Sequence, residues 1–155
     1  MSFLYLLEGI RCPFLDRLFS LITELGGETL YMAVAIAVYW CVSKGLGYYI
    51  LTTGFVGPIA NQFLKLCFRI PRPWVLDPDF SIVESARAGA TGYSFPSGHT
   101  QNAFSSFGCL GMWAKGGWRA LCFAIVVLIG FSRMYLGVHT PLDVGVAFVP
   151  VSYTH

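Results

Sequence analysis

Charge is what this sequence has least of. Asp, Glu, Lys and Arg make up 12% of its 155 residues, where soluble domains carry about 25%. Hydrophobic residues reach 55% and the mean hydropathy is +0.64. Too little polar surface is left to cover the chain in water, so the composition predicts a membrane protein. Neither sign dominates: the net charge of +2 gives no basis for a nucleic-acid partner. Cysteine supplies no framework. Cys12, Cys41, Cys67, Cys109 and Cys122 are odd in number, scattered mostly through apolar runs, and without zinc-type spacing, so they read as small apolar filler. No cleavable leader is expected, because residues 1–10 lack a basic start and Glu8 interrupts the apolar stretch. Repeats and low-complexity tracts are missing, and the length fits a single domain, 1–155.

What is present is a series of apolar helices. Between 13 and 26, Phe14, Leu15, Leu18, Phe19, Ile22 and Leu25 recur at helical spacing, with Asp16, Arg17 and Glu24 on other faces. Such charges oppose a span through hydrocarbon. The segment 1–27 is therefore expected to hold an amphipathic helix lying in the membrane interface. Strong apolar runs follow at 29–43 and from 45 to about 68, joined by a turn at Lys44-Gly45. Tyr31, Tyr39 and Trp40 sit near the ends of the first, where aromatic belts form. Gly54, Gly57 and Pro58 inside the second predict a close helix contact or a kink.

Residues 69–95 are the one long polar stretch, with Pro71, Pro73, Pro78, Asp77, Asp79, Glu84 and Arg87. Irregular backbone is not tolerated against lipid, so 69–96 is expected as a loop outside the hydrocarbon. Apolar helices resume at 97–114 and 119–136, with a turn at Lys115-Gly116-Gly117. A last helix opens at Thr140-Pro141 and has about 15 residues before His155, short of the roughly 20 a span needs. The chain is thus expected to be truncated at its C-terminus. The fold class is all-α: a polytopic membrane helix bundle with about five spanning helices visible or partial. Simple alternation puts 69–95 and the turn at His139 on one side, with Lys44, Lys115 and Arg119 on the other. The positive-inside rule makes that second side cytoplasmic.

Against this background three polar blocks stand out. Lys65 is separated by six residues from Arg72-Pro73. Pro96-Ser97-Gly98-His99 opens an apolar helix. Ser132-Arg133 is followed after five residues by His139 and after three more by Asp143. The helix pattern brings all three to one membrane face, and ionisable groups at membrane depth are functional by default. Ser97 is placed to cap a helix start, whose free N–H groups form an anion site, and Gly98 lets an oxygen approach the backbone. Arg72 and Arg133 can hold phosphate oxygens bidentately while Lys65 adds a point charge. Thr140 reads as N-cap and Pro141 as first helical residue. Asp143 can then reach back to one nitrogen of His139, fix its tautomer and raise the nucleophilicity of the other. His99 is placed to protonate a leaving alkoxide.

Each block has a plainer reading. A lysine near a helix end ordinarily snorkels, Ser-Gly-His at a helix start is ordinarily a cap, and a histidine four before an aspartate is ordinarily a surface pair. Three such blocks converging by accident on one face of an apolar bundle is a poor account. A metal site would draw on His99, His139, Asp143, Asp77 and Asp79. However, Arg72 and Arg133 would repel a cation, and three fixed cations already supply its charge. No metal and no cofactor are expected.

The three blocks resemble the signature of the phosphatidic acid phosphatase type 2 superfamily, which also contains the vanadium haloperoxidases and glucose-6-phosphatase. The resemblance covers 65–143 and meets the pattern at every motif position. Residues 90–95 and Pro71-Arg72-Pro73-Trp74 are similar to bacterial membrane members. It implies a bundle of about six spanning helices and metal-independent catalysis. His139 would be the nucleophile that forms a phosphohistidine, His99 the acid/base and Asp143 the partner of His139. Lys65, Arg72, Ser97, Gly98, His99 and Arg133 would bind phosphate. The expected activity is hydrolysis of a lipid phosphate or diphosphate, such as undecaprenyl diphosphate, phosphatidylglycerol phosphate or phosphatidic acid. The alternatives are a lipid phosphotransferase using the same histidine and a truncated, non-catalytic binder of anionic lipid. The implied partners are a lipid phosphate substrate and membrane lipids in a bacterial cell membrane, with the site on the extracytoplasmic side. No residue pattern specifies an oligomeric state.

Overall fold

A computed structural model describes residues 1–148, and every regular element among them is helical. The α-helices are α1 (Ser2–Gly9), α2 (Pro13–Glu24), α3 (Glu28–Cys41), α4 (Lys44–Phe68), α5 (Pro73–Leu76), α6 (Gly98–Ala103), α7 (Cys109–Trp113), α8 (Gly117–Tyr135) and α9 (Pro141–Val146). A π-turn at Phe104–Gly108 joins α6 to α7 in one continuous helical run, and Glu84–Ala86 forms a 3-10 turn in the loop. π-turns are rare and concentrate at functional sites. The run opens one residue after Ser97, inside a motif.

Capping chemistry sets the boundaries. Pro13 and Pro141 occupy first-turn positions, where a missing N–H costs nothing. Ser43 caps α4 by accepting from the Leu46 N–H at 3.4 Å. That cap moves the link between α3 and α4 to Val42-Ser43 and makes Lys44 and Gly45, expected as a turn, the first residues of α4. The N-terminal 1–27 holds two helices, α1 and α2, where the apolar periodicity predicted one beginning at 13. The last expected helix is helical over Pro141–Val146, and the part of that expectation beyond 148 lies outside the described residues.

The helix α4 is inside out relative to a soluble helix. Its buried face carries Gly47, Ile50, Thr53, Gly57 and Asn61. Phe55, Ile59 and Phe63 point outward at 65%, 68% and 65% exposure. Helices that meet within lipid pack through small residues and leave their large apolar ones to the hydrocarbon. Gly54 shows why the residue must be small. A Cβ there would fall 1.7 Å from the Tyr31 hydroxyl, which itself donates to the Ile50 carbonyl at 2.5 Å. Of the close contacts predicted around Gly54, Gly57 and Pro58, Gly54 meets Tyr31 of α3 and Gly57 meets Gln101 of α6. Around it Tyr31, Ala35, Val38, Ile50 and Cys109 form an apolar core.

By length and apolarity α8 alone, 19 residues, meets the test for crossing a membrane among the described residues, and α2 with α3 meets it jointly across a 46° bend. The 25 residues of α4 are long enough to span, but internal Gly, Thr, Asn and Gln dilute their apolarity.

A second core lies under the polar loop, where Ala86, Ala90, Tyr135, Leu136 and Val138 pack with Phe19 and Trp74. The helix α1 straps this loop down. Tyr5 donates to Asp77 at 2.7 Å, Glu8 accepts from the Ser81 backbone at 3.1 Å and from its hydroxyl, and Arg11 donates to the Ser81 and Tyr135 carbonyls at 2.7 and 3.1 Å. The loop over 69–96 is thereby fixed above the end of the bundle where α4 and α8 finish and α6 and α9 begin.

Candidate active site

The convergence of helix ends places the three sequence blocks around one cavity of about 380 Å³. Lys65, in the last turn of α4, Arg72 at the start of α5, Gly98 and His99 in the first turn of α6, Arg133 near the end of α8 and His139 before α9 all line it. Ser97 and Asp143 do not. Both are buried behind the wall, at 0% and 1% exposure, and act by holding what does line it.

Ser97 caps α6, its Oγ accepting from the Thr100 N–H at 3.5 Å and the Thr100 hydroxyl at 3.0 Å. Its own N–H donates to the Asp143 carbonyl at 3.0 Å, tying the second block to the third. A Cβ built on Gly98 would meet nothing within 4 Å, so the first turn of α6 faces open space in the cavity. Thr140 and Asp143 form a capping box: the Thr140 N–H donates to Asp143 Oδ2 at 2.7 Å, and the Asp143 N–H donates to Thr140 Oγ1 at 3.3 Å.

That box aims the Asp143 carboxylate at His139, whose Nδ1 lies 3.5 Å from Oδ2. At this length the contact orients the ring electrostatically but is too long for a full hydrogen bond, and Nδ1 is buried without a hydrogen-bond partner. Oδ2 also accepts from the Ser94 hydroxyl at 2.5 Å. On the other side of the ring, Arg72 Nη1 sits 3.2 Å from His139 Nε2. A guanidinium only donates, so Nε2 is the bare nitrogen and the ring proton is on Nδ1, facing Asp143. Burial, with Arg133 and Arg72 nearby, pushes the imidazole pKa below its ordinary 6.5 against the pull of Asp143. His139 is therefore neutral at physiological pH.

Arg72 is anchored as well as charged. It donates to the carbonyls of Gly92, Val138 and Thr91 at 3.1, 3.1 and 2.8 Å, joining the loop to the His139 turn. Burial lowers its pKa to about 10, which leaves it a cation at neutral pH. Arg133, 2% exposed, donates from Nη1 to the Thr23 hydroxyl at 2.9 Å. Among the described residues, no group of three His, Cys, Asp or Glu side chains is arranged to hold a metal ion.

The sequence blocks missed four residues that support this site. Ser94 and Thr23 hold Asp143 and Arg133, and Asn61 and Gln101 line the cavity beside Lys65 and His99. Asn61 and Gln101 carried a visible signal: buried amides are unusual in apolar helices. Thr23 carried none, because a threonine on an amphipathic helix is unremarkable until Arg133 is seen beside it.

These features define a class: an all-helical protein whose bundle ends in a buried His–Asp pair beneath three cations. The model of the PAP2 superfamily matches residues 44–150, and the chain belongs to that superfamily. It is 31% identical over 134 residues to undecaprenyl-diphosphatase BcrC of Bacillus subtilis, an alignment covering 84% of this chain and 66% of that one. The chain thus spans just under two thirds of that relative's length. The crystal structure of Aquifex aeolicus LpxE superposes with a TM-score of 0.85 at 27% identity, covering 99% of this chain and 90% of that one. A transmembrane PAP2-type phosphatidylglycerolphosphate phosphatase from Bacillus subtilis shares the fold, with a TM-score of 0.74, 24% identity, and coverage of 99% and 81%. With 12% charge, a surface rich in exposed Trp, Phe and Leu, and α8 long and apolar enough to cross a bilayer, the chain is a membrane protein.

Proposed function

We propose that this protein is a lipid phosphatase that works through a phosphohistidine on His139, without a metal. The observation that carries the reading is the bare Nε2 of His139, held between Asp143 and Arg72 at the wall of a cavity bearing three cations. Phosphoryl transfer demands positioning and charge neutralisation more than covalent chemistry from the protein, and Lys65, Arg72 and Arg133 supply the charge. The open first turn of α6 at Ser97-Gly98-His99 adds N–H donors.

In the first step Nε2 attacks phosphorus, the bond to the leaving oxygen breaks, and His99 passes that oxygen a proton. The ring of His139 becomes cationic, and the Asp143 carboxylate stabilises it. In the second step water attacks phosphorus, its proton goes back to His99, and the P–N bond breaks to free phosphate and neutral His139. Relatives of this chain are named undecaprenyl-diphosphatase and phosphatidylglycerophosphatase B, which supports a substrate whose tail stays in the bilayer while its phosphate enters the cavity. We further infer that 1–155 is one domain in which α3, α4, the α6–α7 run and α8 cross the membrane, with a partial fifth span opening at Pro141. On this reading 1–27 lies in the interface, and the 69–96 loop covers the site on the extracytoplasmic side of a bacterial cell membrane.

The test is phosphate release from a panel of lipid phosphates, using purified protein in nanodiscs with chelator present. Wild type should release phosphate and His139→Ala should not. Release that persists in His139→Ala contradicts the reading.

A further inference from the structure

Arg133 and His139 stand on either side of one chain turn, so the way α8 ends sets the distance between them. The end is a Schellman motif in which Gly137, at φ +80°, is the left-handed residue. Its N–H donates to the Met134 carbonyl at 3.0 Å, and the Val138 N–H donates to the Arg133 carbonyl at 3.2 Å. Those bonds leave the Tyr135 and Leu136 carbonyls without partners inside the helix. Leu136 accepts from the Val83 N–H of the loop at 3.2 Å, and Tyr135 accepts from Arg11 Nε at 3.1 Å. Just past the glycine, the Val138 carbonyl accepts from Arg72 Nη1 at 3.1 Å. Guanidinium groups therefore hold the turn before and after Gly137, and of the two only Arg72 reaches the cavity.

Arg11 is seated too closely for an ordinary surface cation. It arrives from the link between α1 and α2, 124 residues before Tyr135. Its Nη1 donates to the Ser81 carbonyl at 2.7 Å, and its guanidinium carbon stands 5.3 Å from the centre of the Phe80 ring, a cation–π distance. Nη2 fills the space that a side chain at 137 would need: a Cβ there would fall 2.7 Å from Nη2 and 3.0 Å from Phe80. That nitrogen is buried with no hydrogen-bond partner, so packing against Gly137 and Phe80 sets its place. The carbonyl dipoles at the end of α8 favour a cation there as well. Strapping the loop would need only the bond to Ser81. The contacts to Tyr135 and Gly137 act on α8 and on the turn that leads to His139.

We propose that Arg11 is a positioning residue for the reaction: by fixing the end of α8 at Tyr135 and Gly137, it sets where His139 Nε2 stands relative to a phosphate held by Arg133. The inference rests on the role given above to His139. Arg11 is absent from the cavity wall and acts through the backbone of the turn. Misplacing a reacting group by about 1 Å costs about a hundredfold in rate. Arg133 and Arg72 keep their own anchors, at Thr23 and at Gly92 and Thr91. Loss of Arg11 should therefore slow attack on phosphorus without loosening the hold on phosphate.

The test measures kcat, KM and inhibition by inorganic phosphate for the full chain in nanodiscs. The substrate is whichever of phosphatidic acid, phosphatidylglycerol phosphate and undecaprenyl diphosphate wild type hydrolyses fastest. Arg11→Met should lower kcat about tenfold to a hundredfold, with KM and phosphate inhibition within about twofold of wild type. Arg11→Lys, which keeps a cation and a donor for the Tyr135 carbonyl, should recover most of the loss. Tyr5→Phe breaks the strap at Asp77 without touching the turn and should leave kcat within about twofold of wild type. Arg11→Gln carries the same test if the methionine variant does not fold. Unchanged kcat per folded molecule overturns the proposal. So does a loss confined to KM and phosphate inhibition, or an equal fall in kcat in Tyr5→Phe. Full kcat in Arg11→Met beside an inactive His139→Ala removes the positioning role and leaves the nucleophile, whereas release that persists in His139→Ala removes both.

Discussion

The two ends of the helical bundle are built on opposite rules. At one end Tyr31, Ala35, Val38, Ile50 and Cys109 pack with few polar groups besides the Tyr31 hydroxyl and Thr53, each of which finds the Ile50 carbonyl. At the other, Arg72, Ser94, Ser97, Arg133, His139 and Asp143 are all buried together. The apolar end needs only shape. The polar end needs every partner in place, because a buried charge left unpaired is far more costly than a lost apolar contact. Substitutions at the polar end should therefore act on rate, with stability at risk wherever a charge is left unpaired, and those at the apolar end on stability alone.

The largest expected effect is at His139. His139→Ala should reduce kcat by more than about 10⁴-fold, since removing a nucleophile leaves only binding and electrostatic contributions, and steady-state phosphate release checks it. Asp143→Asn should come next, at about 10⁴-fold or somewhat less, because the neutral amide has no charge to stabilise the cationic ring. Ser94 and Thr140 would still have an oxygen at that position to donate to, so the fold should survive, as circular dichroism would show.

Thr23→Val is a smaller change at the same end. It removes the 2.9 Å hydrogen bond to Arg133, and hydrogen bonds to charged groups contribute about 1.5–3 kcal/mol, or about tenfold to a hundredfold in rate. The loss should show in kcat/KM and in weaker competition by inorganic phosphate, and Thr23→Ser should restore both. At the apolar end, Gly54→Ala should lower stability by about 1–3 kcal/mol through overpacking against Tyr31, read as a lower Tm, with the rate per folded molecule retained.

The pH profile gives the subtlest contrast. The neutral form of His139 is the active one, and its folded pKa lies below the ordinary 6.5 because of burial and the neighbouring arginines. The nucleophile is therefore present above that depressed value and lost as pH falls through it. The acid limb of kcat/KM assigned to His139 should lie below pH 6.5. Substituting Arg72→Gln removes one repelling cation and should move that limb upward.

Much of the site was legible in the sequence, for a physical reason. In a chain with 12% charge, each ionisable residue stands against an apolar background, so Lys65, Arg72, His99, Arg133, His139 and Asp143 announced themselves by spacing alone. Thr140, Pro141 and Asp143 fixed a capping box whose geometry follows from local rules. The supports were harder to see. Thr23 reaches Arg133 across 110 residues, and no local rule links α2 to α8. Ser94 sits in a loop whose path depends on the strap from Tyr5, Glu8 and Arg11. The helix α1 escaped for a related reason, since its buried apolar face is only Leu4 and Leu7 and the loop contacts of Tyr5 and Glu8 are long-range. The π-turn at Phe104–Gly108 has no sequence signal we can name.

The most direct measurement is rapid quench into alkaline denaturant, where a P–N bond survives, of the protein in nanodiscs with a lipid phosphate labelled at phosphorus. The account predicts label bound covalently to His139 before steady state and absent from His139→Ala. Release of labelled phosphate with no label ever on His139, or with label on another residue, would contradict it.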